Sequence, residues 1–210
     1  MPFLRIDPAS FDVAALAPAV AWLRGAGVVA LPTDTFYGLA ADPASGPAVR
    51  ELFTLKQRRE DQPLPLIAGS RAQVAEAFGP LSAPARALAD RFWPGPLSLL
   101  FDAPASIDAA VHAGTGAVAV RVPDHPIARA LALAWGGLLT ATSANLSGEP
   151  PPSRAAALAP LERRRALLVI DAGGTTGGDP STIVDARQPR VRLVRAGAIA
   201  WERVLESLQA

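Results

Sequence analysis

The chain has 210 residues, half of them hydrophobic, and a formal net charge of +1, which together indicate a substantial core and argue against a broad basic surface for nucleic acid. It contains no cysteine and only two histidines, which excludes disulfides, thiolate chemistry and a histidine-built metal centre. No signal peptide is visible and no apolar run approaches the ~20 residues that span a bilayer, so we expect a cytoplasmic protein that binds no membrane.

The first half of the sequence alternates between helical and strand patterns. The helical segments place apolar residues three and four positions apart, whereas the strands are short apolar runs between turn residues. The predicted helices cover residues 13–23, 49–56, 70–78 and 83–92. The predicted strands cover residues 28–32, 64–69 and 97–101.

The second half continues the same alternation. Its predicted strands cover residues 117–122, 137–145, 166–173, 181–186 and 191–197. Its predicted helices cover residues 127–135, 154–165 and 199–208. This interleaved order predicts an α/β fold with a mixed sheet, and since no segment reads as a linker we expect a single domain over residues 1–210.

Three basic side chains lie on apolar faces of these elements. Lys56, the only lysine of the chain, follows Phe53 by three positions on the apolar stripe of the second helix. Strand alternation places Arg121 on one face with two alanines, Ala117 and Ala119. The same rule places Arg195 on a face with Val191 and Leu193, as it places Ser143 with Ala141 and Leu139.

Such inward cations need either a partner or an anionic ligand. An unpaired buried charge costs on the order of several kcal/mol, and pairing with Asp or Glu is the simpler interpretation for any one of them. Three together, beside strands of Ala and Ser, favour a pocket for a polyanion. Lysine's compact charge on a flexible stem suits a phosphate or carboxylate that moves during a reaction, whereas arginine suits a fixed bidentate grip.

Hydroxyl groups occur near the ends of two predicted strands. Thr33 and Thr35 share a strand face and could bind a small polar substrate, although a local turn motif is the simpler interpretation of the pair alone. Ser143 and Asn145 follow another buried strand, where functional loops are common. The glycine-rich segment 173–178, which leads to Ser181, is not a P-loop and reads as a lid or a plain linker.

Seven short motifs, in this order, resemble the YrdC/Sua5 family. They are PTDTFYGLAADP, LKQRRED followed by QPL, WPGPLSLLF, AVRVPDHPIA, ATSANLSG, PSTIVD and LVRAGAI. They extend from about residue 29 to residue 200, and the chain resembles the short single-domain form without the C-terminal domain of Sua5. Each motif alone is weak, but the ordered set is specific.

The resemblance implies a fold and an activity. The fold would be a twisted α/β sheet with flanking helices around a large positively charged cavity. The activity would be that of a nucleotidyltransferase that makes L-threonylcarbamoyladenylate and pyrophosphate from L-threonine, bicarbonate and ATP, for t6A modification of tRNA. Mg²⁺ would be bound mainly through the ATP phosphates, since no protein metal site is visible. Downstream t6A-transfer enzymes and tRNA are the implied partners.

The resemblance also assigns site residues. Lys56 and Arg58 form its K-x-R motif and would be catalytic. The positions that resemble threonine contacts are Thr35, Arg121, Ala141 and Ser181, to which the hydroxyl argument adds Thr33. The positions that resemble ATP contacts are Arg58, Gln62, Ala117, Ser143, Pro151 and Arg195, to which the loop argument adds Asn145.

Five positions depart from the family pattern, namely Asp34, Arg59, Gln62, Ile67 and Ser98. Ile67 stands where many members have a threonine-contacting histidine, which leaves open a paralogue that acts on another acceptor. A non-catalytic protein that binds RNA or a nucleotide is the other alternative. The near-neutral charge and the few aromatic residues make an extended stacking platform for RNA the weaker interpretation.

Overall fold

Strands and helices alternate along the chain in the computed structural model, which describes residues 2–161 and 167–209. The strands are β1 (Phe3–Arg5), β2 (Val28–Pro32), β3 (Tyr37–Ala40), β4 (Leu66–Ile67), β5 (Leu97–Asp102), β6 (Ala117–Arg121), β7 (Leu139–Thr140), β8 (Thr142–Ser143), β9 (Leu167–Asp171), β10 (Thr182–Asp185) and β11 (Arg192–Arg195). The α-helices are α1 (Ala17–Arg24), α2 (Gly46–Lys56), α3 (Arg71–Phe78), α4 (Ala83–Phe92), α5 (Pro126–Trp135) and α6 (Trp201–Glu206). Short 3₁₀ helices cover Val13–Leu16 and Ala155–Leu161.

These strands form two mixed sheets where the sequence predicted one. The five-stranded sheet has the order β1-β9-β2-β3-β8, and the six-stranded sheet has the order β11-β10-β5-β6-β4-β7. The predicted strand 137–145 is divided between the two sheets. Its first part, β7, pairs with β4, and its second part, β8, pairs with β3.

Serine caps and apolar stripes define the helices. Ser45, Ser70 and Ser82 each accept a backbone N–H at the start of α2, α3 and α4. The helix α2 persists to Lys56, as predicted, and its apolar stripe packs into the larger of two buried clusters. The smaller cluster lies between α1, α5 and the five-stranded sheet.

The sequence analysis missed two strands and misjudged several boundaries. The short edge strand β1 and the segment Tyr-Gly-Leu-Ala of β3 carry too few β-branched residues to stand out. The predicted strand 64–69 is reduced to β4. The predicted helix 154–165 is a 3₁₀ helix as far as Leu161, and its remainder lies outside the described residues. The first predicted helix begins as a 3₁₀ helix over Val13–Leu16, and α1 follows from Ala17 with Pro18 in its first turn.

Among the helices in the described ranges, none combines the length and the apolar character needed to cross a bilayer.

Candidate functional site

A cavity of about 420 Å³ is lined by residues of both sheets. Its volume falls in the range of small-molecule sites in proteins. The polar and charged side chains of its lining are Thr33, Thr35, Tyr37, Arg58, Thr115, Arg121, Thr142, Ser143, Ser181 and Arg195. The charged members of this set are all arginines, which makes the lining suited to anions.

One face of strand β6 forms part of the cavity lining. Ala117, Ala119 and Arg121 line it, while Val118 and Val120 on the opposite face are fully buried in the core. The predicted alternation is therefore confirmed. Because the two alanines are small, they leave open space beside the Arg121 guanidinium.

Arg121 is fixed by a carboxylate behind the lining. Its Nη1 donates to Asp34 Oδ1 at 2.6 Å, and its Nη2 donates to Thr33 Oγ1 at 3.3 Å. The side chains of Arg121 and Asp34 are 9% and 11% exposed, so the pair is shielded from water. Asp34 Oδ2 has no hydrogen-bond partner among the described residues. For this cation the simple pairing interpretation holds, and its charge is largely neutralised.

The turn between β2 and β3 presents a hydroxyl to the cavity. Thr33 Oγ1 donates to the Phe36 carbonyl at 2.8 Å and accepts the Thr35 N–H at 3.2 Å, which is the local turn motif. The two threonine hydroxyls lie 3.2 Å apart. Thr33 Oγ1 also accepts from Arg121 Nη2, so both of its lone pairs are already used and the Thr35 hydroxyl is available to a ligand.

The glycine-rich segment 173–178 is tied to this turn. The Gly177 N–H donates to the Thr35 carbonyl at 2.8 Å, and Thr176 Oγ1 donates to the Asp34 carbonyl at 2.7 Å. At the start of the segment, the Tyr37 hydroxyl donates to the Gly173 carbonyl at 2.8 Å. These bonds hold the segment beside the cavity and support the turn that carries Thr35.

The opposite wall is formed by Ser181 and Arg195. Arg195 Nη2 donates to the Ser181 carbonyl at 2.6 Å and to Ser181 Oγ at 3.1 Å. No carboxylate among the described residues forms an ion pair with Arg195. Because it has no such partner, this guanidinium keeps its charge available to an anion. Partial burial, together with the charge of Arg121, lowers the pKa of Arg195.

A β-bulge places Arg195 on the cavity side. Arg195 pairs with Ile183, which lines the cavity, whereas Leu193 pairs with Val184, which is fully buried in the core. The prediction that Leu193 and Arg195 share a face was therefore wrong. The bulge adds one residue to β11 and reverses the alternation, an irregularity that the period of the sequence does not reveal.

Arg58 enters the cavity because α2 ends at Lys56, two residues before it. Gln57 adopts a left-handed conformation with φ of 49° and turns the chain out of the helix axis. Arg58 Nη2 donates to the Pro63 carbonyl at 3.0 Å, and its buried Nε has no partner among the described residues. Burial lowers the pKa of Arg58.

Lys56 lies behind the lining and does not contact the open cavity. Its side chain is 1% exposed, and Nζ donates to the Ser143 carbonyl, to the Asn145 carbonyl at 2.8 Å and to Asn145 Oδ1 at 3.4 Å. Burial, with a smaller effect from Arg58, lowers the pKa of Lys56 to about 8. In this arrangement the ammonium holds the segment 143–145 in place, and its catalytic role remains a prediction.

Nine of the predicted site residues meet in the lining. They are Thr33, Thr35, Arg58, Ala117, Arg121, Ala141, Ser143, Ser181 and Arg195. Asn145 and Pro151 line a neighbouring cavity of about 280 Å³, and Gln62 is exposed to solvent. Ile67 is fully buried and pairs with Arg121 on the neighbouring strand.

Two polar residues that support the lining were not among the predicted site residues. Asp34 and Ser98 were noticed only as departures from the family pattern, yet they bond to Arg121 and Ser181. The direct sequence signal for Asp34 was its place between Thr33 and Thr35. The buried Nδ1 of His125 has no partner among the described residues, and burial lowers the pKa of its imidazole although Asp34 opposes this.

Metal ligands are scarce around the cavity. Within residues 2–161 and 167–209, no group of three or more His, Cys, Asp or Glu side chains is arranged to hold a metal ion. The lining itself contains no carboxylate. The described residues therefore form no protein cage for Mg²⁺.

Comparison with known proteins gives consistent matches. Residues 21–197 match the sequence model of Sua5, YciO and YrdC proteins, described as "Telomere recombination". The threonylcarbamoyl-AMP synthase of Bacillus subtilis is 37% identical over 199 residues, covering 94% of this chain and 58% of the relative. That of Halorhodospira halophila is 40% identical over 173 residues, covering 80% of this chain and 88% of the relative.

A solved structure extends the likeness to three dimensions. The Pyrococcus abyssi Sua5 structure in complex with L-threonine aligns with a TM-score of 0.88 and 31% identity, covering 99% of this chain and 60% of that one. The chain thus spans little more than half the length of the Bacillus and Pyrococcus proteins.

Proposed function

This chain belongs to the Sua5/YciO/YrdC family, and from that premise we propose that it is a nucleotidyltransferase that makes threonylcarbamoyl-AMP. Its substrates would be L-threonine, bicarbonate and ATP, and pyrophosphate would be the second product. The observation that carries the proposal is one cavity in which Arg58, Arg121 and Arg195 lie beside the hydroxyls of Thr35 and Ser181.

The reaction consists of two bond-forming steps. The threonine amine attacks CO2 derived from bicarbonate, forms an N–C bond and loses a proton, which gives a carbamate. A carbamate oxygen then attacks the α-phosphorus of ATP, and the bond to the bridging oxygen of pyrophosphate breaks. Placement of the reactants and stabilisation of the negative charge provide most of the catalysis in such transfers.

The geometry of the cavity supports separate roles for the arginines. Arg121, held by Asp34, presents a fixed guanidinium for the threonine carboxylate. Arg195 and Arg58, which have no carboxylate partner among the described residues, face the more highly charged triphosphate. The Thr35 hydroxyl contacts the threonine amine or hydroxyl, and Ser181 contacts an oxygen of the ligand.

The same proposal implies a metal ion, downstream enzymes and a cellular location. Mg²⁺ would enter with ATP as part of the substrate, bound mainly by phosphate oxygens. Downstream enzymes that transfer the threonylcarbamoyl group to tRNA would consume the product, and the resulting modification would be t6A. The protein would act in the cytoplasm, where tRNA is modified.

The test is pyrophosphate release by the purified chain, together with mass-spectrometric detection of the adenylate. We expect release that requires L-threonine, bicarbonate and ATP at the same time. A panel of other amino acids serves as the control for acceptor choice, because Ile67 departs from the family pattern. Release that is independent of threonine, or stimulated by a different amino acid, contradicts the proposal.

A further inference from the structure

Ser98 is a buried hydroxyl whose only described hydrogen-bond partner is a residue of the cavity. It lies on β5, is 1% exposed, and its Oγ is 3.0 Å from Ser181 Oγ. The register between β5 and β10 fixes it there, since Ser98 pairs with Ile183 in the parallel ladder. Ser98 itself does not line the cavity.

The available protons determine which serine donates in the Ser98–Ser181 hydrogen bond. Arg195 has only donors, so Ser181 Oγ accepts from Arg195 Nη2. If Ser181 also donated to Ser98, the Ser98 proton would be buried without an acceptor among the described residues. An unsatisfied buried donor costs about 1 to 3 kcal/mol, so the opposite direction is favoured. Ser98 therefore donates to Ser181.

This direction leaves the Ser181 proton free to point into the cavity. With two donors, Arg195 and Ser98, already directed at its lone pairs, Ser181 offers a ligand its O–H rather than a lone pair. This wall therefore presents a hydroxyl donor beside the Arg195 guanidinium.

We propose that Ser98 is a positioning residue which, through Ser181, makes this wall a hydrogen-bond donor to a carboxylate or phosphoryl oxygen of the ligand. The inference rests on the proposed function in taking that ligand to be L-threonine or its carbamate. Ser98 touches no substrate and acts only by orienting the Ser181 hydroxyl.

The close packing around Ser181 makes this orientation rigid. Thr182 Oγ1 exchanges hydrogen bonds of 2.7 and 2.9 Å with the Ile199 backbone. A Cβ added at Gly197 would approach the Pro180 carbonyl oxygen to 2.1 Å, so the chain at 196–199 packs directly against 180–182. The backbone of Ser181 is therefore held, and only its hydroxyl rotor remains for Ser98 to set.

The test compares Ser98→Thr with Ser98→Val, two side chains of similar shape that differ in the hydroxyl. L-threonine binding is measured by titration calorimetry, and thermal unfolding shows whether the fold is equally stable. We expect Ser98→Thr to keep the wild-type Kd within about twofold and Ser98→Val to weaken binding about fivefold to tenfold, the value of one hydrogen bond. If neither branched residue folds, Ser98→Ala replaces Ser98→Val and wild type replaces Ser98→Thr.

A second comparison separates this role from simple packing. In a Ser181→Ala background the Thr and Val variants should bind L-threonine equally, because the group through which Ser98 acts is gone. Equal Kd values for the two variants in the wild-type background overturn the inference and leave the proposed function intact. Failure of the wild-type chain to bind L-threonine overturns the proposed function, and with it the ligand named here.

Discussion

The two arginine-bearing walls of the cavity differ in how their charge is compensated. Arg121 is buried against Asp34 in a shielded ion pair, and Thr33 completes its contacts. Arg195 lies on the edge strand β11 and donates only to the uncharged oxygens of Ser181. One wall presents a neutralised guanidinium in a fixed orientation, and the other presents a net positive charge.

This difference indicates a division of work between orientation and electrostatics. A ligand carboxylate that approaches Arg121 also meets the negative charge of Asp34 behind it, so Arg121 contributes geometry more than net attraction. A polyphosphate gains most near Arg195 and Arg58, whose charges have no described counter-ion. The three inward cations predicted from the sequence, Lys56, Arg121 and Arg195, thus differ in how their charges are compensated.

The largest expected effect concerns the neutralised wall. Asp34→Ala removes the partner of a buried guanidinium and should lower the free energy of unfolding by about 3 to 5 kcal/mol, measured by urea denaturation. Asp61→Ala is the matched control, because it breaks the solvent-exposed pair with Arg59 and should leave stability unchanged. An Asp34→Ala protein as stable as wild type would show that water or Thr33 compensates Arg121, and the contrast between the walls would fail.

The next effect concerns the wall that keeps its charge. Arg195→Gln should reduce kcat/KM for pyrophosphate release, because it removes a charge that faces the phosphates. The expected loss of transition-state stabilisation is about 2 to 4 kcal/mol. Its stability should stay near wild type, since Arg195 lies on an edge strand and forms no ion pair among the described residues. Arg192→Gln, on the same strand but directed at Asp185, is the control and should keep full activity. Equal losses in the two variants would contradict the assignment.

The sequence predicted the parts of this site that depend on regular periodicity. The apolar stripe of α2 predicted the burial of Lys56, and alternation in β6 predicted the small residues around Arg121. Features that break periodicity could not be predicted in the same way. The bulge in β11 places Leu193 and Arg195 on opposite faces of the strand. The segment 139–143 pairs with one sheet through β7 and with the other through β8.

The partners of the cations were harder to predict than the cations. Asp34 lies 87 positions before Arg121 in the sequence, and Ser98 lies 83 positions before Ser181. Such pairs form only when the sheets assemble, and no local pattern encodes them. The family resemblance supplied many of the lining residues, but it gave no hint that Lys56 would bind backbone carbonyls.

A smaller effect tests the turn hydroxyl on the neutralised wall. Thr33→Val removes the hydroxyl that accepts from Arg121 Nη2 and from the Thr35 N–H, and it should weaken L-threonine binding by about 1 to 2 kcal/mol, measured by calorimetry. Thr33→Ser retains the hydroxyl and is the control, with binding close to wild type. If Thr33→Val and Thr33→Ser bind equally, these hydrogen bonds do not position the wall for the ligand.

The smallest effect uses Lys56 as a third kind of cation, fully buried but bound only by carbonyl and amide oxygens. Its pKa is lowered by burial to about 8 from an ordinary value of 10.5. Between these pH values the unfolded chain holds a proton that the folded chain has lost, so stability rises with pH in that window. The free energy of unfolding should increase by about 1 kcal/mol from pH 8 to pH 9 relative to Lys56→Met, in which this titration is absent. Parallel pH profiles for the two proteins would mean that the carbonyl oxygens stabilise the ammonium as fully as Asp34 stabilises Arg121.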